Sequence, residues 1–122
     1  MQATCEHNVY SHAVVNTSYT PLDLIILLYD GAIEHLHKAL FYVNQGNQKG
    51  KTRFLSKAAA IIEELVTSLN MNAGGFIAMN LQDIYIYMLR ELTMADANND
   101  PELLIHVEKL LRGLRDAWRR IK

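Results

Sequence analysis

Residues 69–100 read LNMNAGGFIAMNLQDIYIYMLRELTMADANND. Four events follow in order: one helix ends, a glycine pair stops it, a new helix runs, and a second stop closes that. Gly74-Gly75 can end the first unit because glycine takes the left-handed closing conformation without steric penalty. Over residues 76–97 the pattern becomes helical, with Ile77, Leu81, Ile84, Met88 and Leu92 recurring three or four residues apart. Asp100-Pro101 then opens the next helix. Aspartate accepts a hydrogen bond from an orphan N–H, and proline suits the first helical position.

The same signals recur on both sides of this stretch. Thr20-Pro21 repeats the cap-plus-proline start, and Asp23 puts negative charge near the positive end of a helix predicted over residues 21–44. That helix stops in QGNQKG, where Gly46 and Gly50 break the pattern. A second helix, residues 51–70, carries the stripe Phe54, Leu55, Ala58, Ile61, Ile62, Leu65, Leu69. The fourth, residues 101–121, places Leu103, Leu104, Val107, Leu110, Leu111, Leu114, Trp118 and Ile121 on one face. Its cations, Lys109, Arg112, Arg115, Arg119 and Arg120, lie mostly elsewhere, and the later ones complement the negative helix end. Four helices with short connections predict an all-α protein, an antiparallel up-down four-helix bundle over residues 20–122. An extended N-terminal tail without sustained period, residues 1–19, precedes it. A three-helix core with the first helix partly mobile is the runner-up.

Composition sets bounds on function. The chain has 122 residues, half of them apolar, and a formal net charge of -1. This fits one domain with ample core and gives no global field for nucleic acid or an anionic membrane. The single cysteine, Cys5, permits no disulfide within the chain. Residues 1–18 lack a basic start and an unbroken apolar stretch, so they do not read as a signal peptide. Apolar runs such as residues 24–29 are far too short to span a bilayer.

Chemistry is imitated rather than present. Glu34-His35-Leu36-His37 contains the Glu-x-x-His half of a di-iron site, but no second copy exists, and Glu34 lies about 100° from the core stripe. Glu102 and His106 lack the remaining ligands of a zinc set. Cys5 has only His7 and His12 nearby, on the same tail. The glycine pairs lack the lysine and strand–loop–helix context of a phosphate loop. No enzyme, metal or cofactor is expected.

The first helix is apolar on two sides. Leu22, Ile26, Tyr29, Ile33, Leu36 and Leu40 form one stripe, while Leu24, Leu27, Leu28 and Tyr42 lie towards the opposite side. A bundle covers one face, so the second needs the tail, another subunit or a client peptide; the plainer alternative is a wider core stripe with the tail docked on it. The third helix adds Ile86 and Tyr87 off its main stripe.

Taken with LLYDGAI (residues 27–33) and LRDAW (residues 114–118), the stretch that opens this section resembles the flagellar export chaperone family of the flagellin-specific FliS type. The matching residues are Leu69-Asn70, Gly74-Gly75, Ile77-Ala78, Asn80-Leu81, Tyr85, Tyr87-Met88, Leu92, Ala95, Asn99-Asp100 and Ala117-Trp118, and the resemblance runs over residues 10–121. It implies a cytoplasmic chaperone that binds the disordered C-terminal segment of flagellin, prevents premature polymerisation and keeps the client competent for type III flagellar secretion. With Tyr10 matching the family's tail tyrosine, the expected partner-binding residues are Tyr10, Leu24, Leu27, Leu28, Tyr42, Ile86 and Tyr87. An export-gate component or an anti-sigma factor stands open as a second partner, and the state as monomer or weak homodimer. The competing readings are a structural or regulatory bundle that dimerises through the first helix, and a di-metal or redox bundle enzyme. Three departures stand out. Phe76 replaces the usual acidic residue after the glycines, Asp96 stands where asparagine is usual, and Val15-Asn16-Thr17-Ser18-Tyr19-Thr20-Pro21 is one residue longer.

Overall fold

The computed structural model describes residues 19–122, apart from the side chains of Asn72 and Ala73. Four helices follow one another: α1 (Pro21–Asn44), α2 (Gln48–Thr67), α3 (Met71–Asn98) and α4 (Pro101–Arg120). The connections are too short for anything but antiparallel neighbours. In the resulting ring α1 and α3 each pack between α2 and α4. The four-helix bundle expected from the sequence is the fold.

The helix ends follow from local chemistry. Thr20 and Asp23 form a capping box: Thr20 Oγ1 accepts from the Asp23 N–H at 3.1 Å, and Asp23 Oδ2 accepts from the Thr20 N–H at 3.0 Å. Lys122 Nζ lies 2.6 Å from Asp23 Oδ1. That pair first, and the Thr20 N–H second, hold the Asp23 carboxyl down at about 2. α1 closes at Gly46, φ 71°, where the Gly46 N–H donates to Val43 O and the Asn47 N–H to Tyr42 O.

Two boundaries differ from expectation. α2 begins three residues earlier, because Asn47 Oδ1 accepts from the Gly50 N–H at 2.9 Å and caps the helix there. Gly50 is therefore inside α2, not a breaker. A Cβ on it would sit 2.6 Å from the Tyr42 ring, so the glycine lets that ring lie on the α2 backbone. α2 also ends at Thr67 rather than at 70. α3 takes up the residues before the glycine pair as one turn and breaks at Gly75, whose φ of 53° and ψ of -130° are non-helical.

The core is lined by Ile33, Leu36, Leu55, Ile62, Leu81, Met88, Leu104, Val107 and Leu111, all buried. Ile77 and Ile121, expected on core stripes, are instead 70% and 68% exposed. Ile77 follows the Gly75 break, near the start of α3, and Ile121 is the C-cap of α4.

Two buried polar groups tie the ring across its corners. Tyr29 Oη lies 2.5 Å from Tyr85 Oη and accepts from the Trp118 indole N–H at 3.1 Å, linking α1, α3 and α4. Burial raises both phenol pKa values, Tyr29 and Tyr85 alike. Lys51 is buried in the first turn of α2 and points its ammonium at the end of α3. Its Nζ donates to the Asp96 carbonyl at 2.8 Å and to Asn99 Oδ1 at 2.6 Å, and pairs with the Asp96 carboxylate at 3.0 Å. It thus satisfies acceptors at the C-terminus of α3 while answering its dipole. Asp96, one of the departures from the family pattern, has this structural partner.

Candidate client-binding surface

The expected partner-binding residues fall in separate places. Tyr10 lies outside the described residues. Leu24, Leu27 and Leu28 are half-buried, and Leu28 packs against the core cluster. Leu28, His35 and Tyr42 are seven residues apart and share a face. The His35 and Tyr42 rings both meet Phe54 of α2, at 5.8 and 5.7 Å between centroids, and Tyr42 stacks at 11°. The Leu28 side of α1 therefore faces α2. The core face of α1 is wider than one stripe, because it reaches round from the core towards α2. Tyr42 lies about 20 Å along the helix from Leu28. Beside it Phe41 is exposed, with Glu34, His37 and Lys38 around a shallow dip.

Ile86 and Tyr87 are on α3, and there the surface differs. Among the described residues, α3 carries Met71, Phe76, Ile77, Met79, Ile86, Tyr87 and Met94 as exposed large apolar side chains, while Tyr19, Phe41 and Ile121 are the others. Phe76, the departure after the glycine pair, is 83% exposed. Surface this apolar on one helix is more than scattered exposure gives and reads as an interaction face.

Between α3 and α4 runs an open groove of about 550 Å³. Ile84, Tyr87, Leu110 and Leu114 give it an apolar lining, and Asp83, His106 and Lys109 supply polar groups. Gly113 stands in its wall with nothing within 4 Å of a built Cβ, so the space is open there too. His106 Nδ1 lies 2.9 Å from Glu91 Oε1, and the Tyr87 ring meets the His106 ring edge-on at 6.0 Å. Desolvation first, and the adjacent Glu91 carboxylate second, push the Tyr87 phenol pKa up. Ile86 stands one residue further round and does not line this groove.

A second apolar hollow, about 300 Å³, lies near the Gly75 break, with Ile25, Leu69, Ile77, Tyr85 and Trp118 among its walls. No sequence signal singled it out, since its walls come from all four helices.

The histidines are spread out. His37 Nε2 lies 2.8 Å from Glu108 Oε2, and Glu34 pairs with Lys38 at 3.5 Å. Among the described residues, no three His, Cys, Asp or Glu side chains gather closely enough to hold a metal ion. No helix in that range is long and apolar enough to cross a membrane.

Comparison with known proteins agrees with this geometry. Residues 3–122 match the family model described as flagellar protein FliS. The chain is 40% identical over 105 residues to the flagellar secretion chaperone FliS of Salmonella typhimurium, covering 85% of this chain and 78% of that one. It is 33% identical over 113 residues to FliS of Bacillus subtilis, covering 93% and 83%. With FliS of Campylobacter jejuni it shares 26% over 121 residues, covering 99% and 94%. A four-helix bundle with open apolar grooves, matched to one family model over nearly its whole length, belongs to the FliS family of flagellar secretion chaperones.

Proposed function

We propose that this chain is a cytoplasmic chaperone that binds the disordered C-terminal segment of flagellin, prevents its premature polymerisation and keeps it competent for type III secretion. It acts by masking, without catalysis. A disordered segment that folds on binding covers a large surface, and the ordering cost holds affinity down, so that the client can be handed on.

The observation that carries this reading is the α3–α4 groove with its apolar lining and polar rim. An amphipathic client helix would lay its apolar side on Ile84, Leu110 and Leu114 and take a hydrogen bond from Tyr87. Ile86 flanks this docking, and Leu24 and Leu27 on α1, with Tyr42 and Tyr10, extend the contact as the client wraps the bundle. The alternative, a bundle that dimerises through α1, lacks a comparable open surface: Phe41 is the exposed large apolar side chain of that helix.

Calorimetric titration of the full chain with a peptide from the flagellin C-terminal region tests this. Saturable binding with a negative heat-capacity change is expected. Tyr87→Asp and Leu114→Asp should each weaken it at least about tenfold. No binding by the unaltered protein rejects flagellin as client. Normal binding by both variants rejects the groove.

A further inference from the structure

Gly113 lines the α3–α4 groove, yet nothing in the fold calls for a glycine there. It lies well inside α4, which runs from Pro101 to Arg120, and it is exposed. Glycine is the poorest helix former after proline, because its backbone loses the most freedom on folding. Elsewhere in the chain a glycine has a local reason. Gly75 takes a positive φ, and a Cβ on Gly50 would run into the Tyr42 ring. Gly113 has neither reason: its φ is not positive, and a Cβ built on it meets nothing within 4 Å. Alanine would suit the folded chain better.

What the missing side chain leaves is room in the groove. Leu110, one turn earlier, and the adjacent Leu114 flank the position on α4, and Ile84 lines the groove from α3. The N–H and C=O of a mid-helix residue are taken up along the helix, so the glycine offers the groove only its Cα hydrogens, an apolar surface. His106, about 10 Å away along α4, is different: its hydrogen bond to Glu91 ties α4 to α3 with side chains. The groove is therefore bridged near His106 and bare at Gly113. The bare space is larger than a methyl group, since a built Cβ still touches nothing. A small client residue would leave a void there and forfeit contacts, whereas a large apolar one fills it and leaves water. We infer that Gly113 is a specificity-determining position of the client site, a seat for one large apolar side chain of the client helix between Leu110, Leu114 and Ile84. Because its occupant is the flagellin segment proposed above, the seat depends on that docking, and it adds which side chain the groove selects.

Two measurements on the full chain separate a seat for the client from a need of the fold: thermal unfolding, and calorimetric titration with the flagellin C-terminal peptide. Gly113→Ala should melt about 3–5 °C above the parent, as a mid-helix glycine replaced by a good helix former does. It should nevertheless bind the peptide about threefold more weakly, because its methyl intrudes on the seat. Gly113→Leu should fold as the parent does and bind at least about tenfold more weakly. Stability and binding thus move in opposite directions, which a purely structural role would not produce. The peptide supplies the other half of the test. When each of its large apolar residues is truncated to alanine in turn, one truncated peptide should bind Gly113→Leu and the parent alike, within about threefold, because the colliding side chain is gone. Normal binding by both variants overturns the seat and leaves the groove as the client site. So does a Gly113→Ala protein that melts below the parent, or a peptide series in which no truncation relieves Gly113→Leu. No binding by the unaltered protein removes flagellin as the client, and the seat with it.

Discussion

Helices α1 and α3 both carry more apolar surface than one bundle face requires, and the fold treats the excess in opposite ways. On α1 the extra residues Leu24, Leu27 and Leu28 end half-buried, and Leu28 joins the core. On α3 the extra residues Phe76, Met79, Ile86 and Met94 stay in solvent. The difference is one of neighbours. Gly50 lets the Tyr42 ring rest on the α2 backbone, Phe54 receives both Tyr42 and His35, and α2 thereby comes up against the Leu28 side of α1. Nothing comparable covers the outer face of α3 among the described residues. An apolar excess therefore marks an interaction surface only after the packing of its neighbours has been counted.

The largest expected effect tests the buried half of this contrast. Leu28→Asp places a charge where an apolar side chain packs on the core, and should cost about 3 kcal/mol of stability. Ile86→Asp, on the open face, should stay within about 0.5 kcal/mol. Urea unfolding of the two variants side by side measures the difference. Equal stabilities would mean that α1 is as open as α3, and the contrast would be gone.

A smaller loss is expected from Tyr29→Phe. The Tyr29 hydroxyl is the hub between Tyr85 and Trp118, and its removal leaves the indole N–H without its acceptor. A cost of about 2 kcal/mol follows, because the buried Tyr85 hydroxyl and the half-buried indole N–H both lose their partner. Trp118 emission should shift in the folded state as its hydrogen bond is lost. An unchanged spectrum with unchanged stability would remove the inner anchor of α1 from the argument.

Acid should loosen the start of α1. Asp23 has its pKa lowered to about 2 in the fold, against about 3.9 in the unfolded chain. A depressed carboxyl stabilises the fold above its unfolded value and loses that contribution as pH falls through the folded one. The stability advantage of the parent over Asp23→Asn should thus be complete above about pH 5 and shrink between about pH 4 and pH 2. Thermal unfolding over that range checks it, and a pH-independent difference would refute the assignment.

Much of the fold was legible because its signals are local. The Thr20-Pro21 and Asp100-Pro101 starts, the Gly46 stop and the α4 face as far as Trp118 stand as the sequence implies. Legibility failed where the deciding partner is distant in sequence. Asn47 caps α2 through Gly50, but Gly50 reads as a breaker until Tyr42 is seen to need its missing Cβ. No local signal marks Lys51 for burial, because its acceptors at the end of α3 lie more than forty residues on. The candidate surface was half legible for the same reason. Ile86 and Tyr87 stand out as off-stripe, yet Tyr87 acquires a groove only through Leu110 and Leu114 of α4. On α1, Leu28 drew notice because periodicity counts faces without showing which neighbour covers them.

The smallest expected effect has the opposite sign. Phe76 opens the continuous part of α3 just after the Gly75 break, in the first turn, with 83% of its surface in water. The first turn of α3 contains no acidic residue. A carboxylate there would meet the positive end of the helix dipole, an interaction of about 0.3–1 kcal/mol. The phenylalanine contributes little in return, because so exposed a ring has lost almost no contact with water. Phe76→Glu should therefore raise stability by about 0.5 kcal/mol while leaving circular dichroism unchanged. The gain should fade with added salt, as a surface electrostatic term does. A residue whose replacement stabilises the folded chain is not held in place by folding. If Phe76→Glu destabilises instead, the ring has a packing role within the chain, and the outer face of α3 resembles α1 more closely than its exposure indicates.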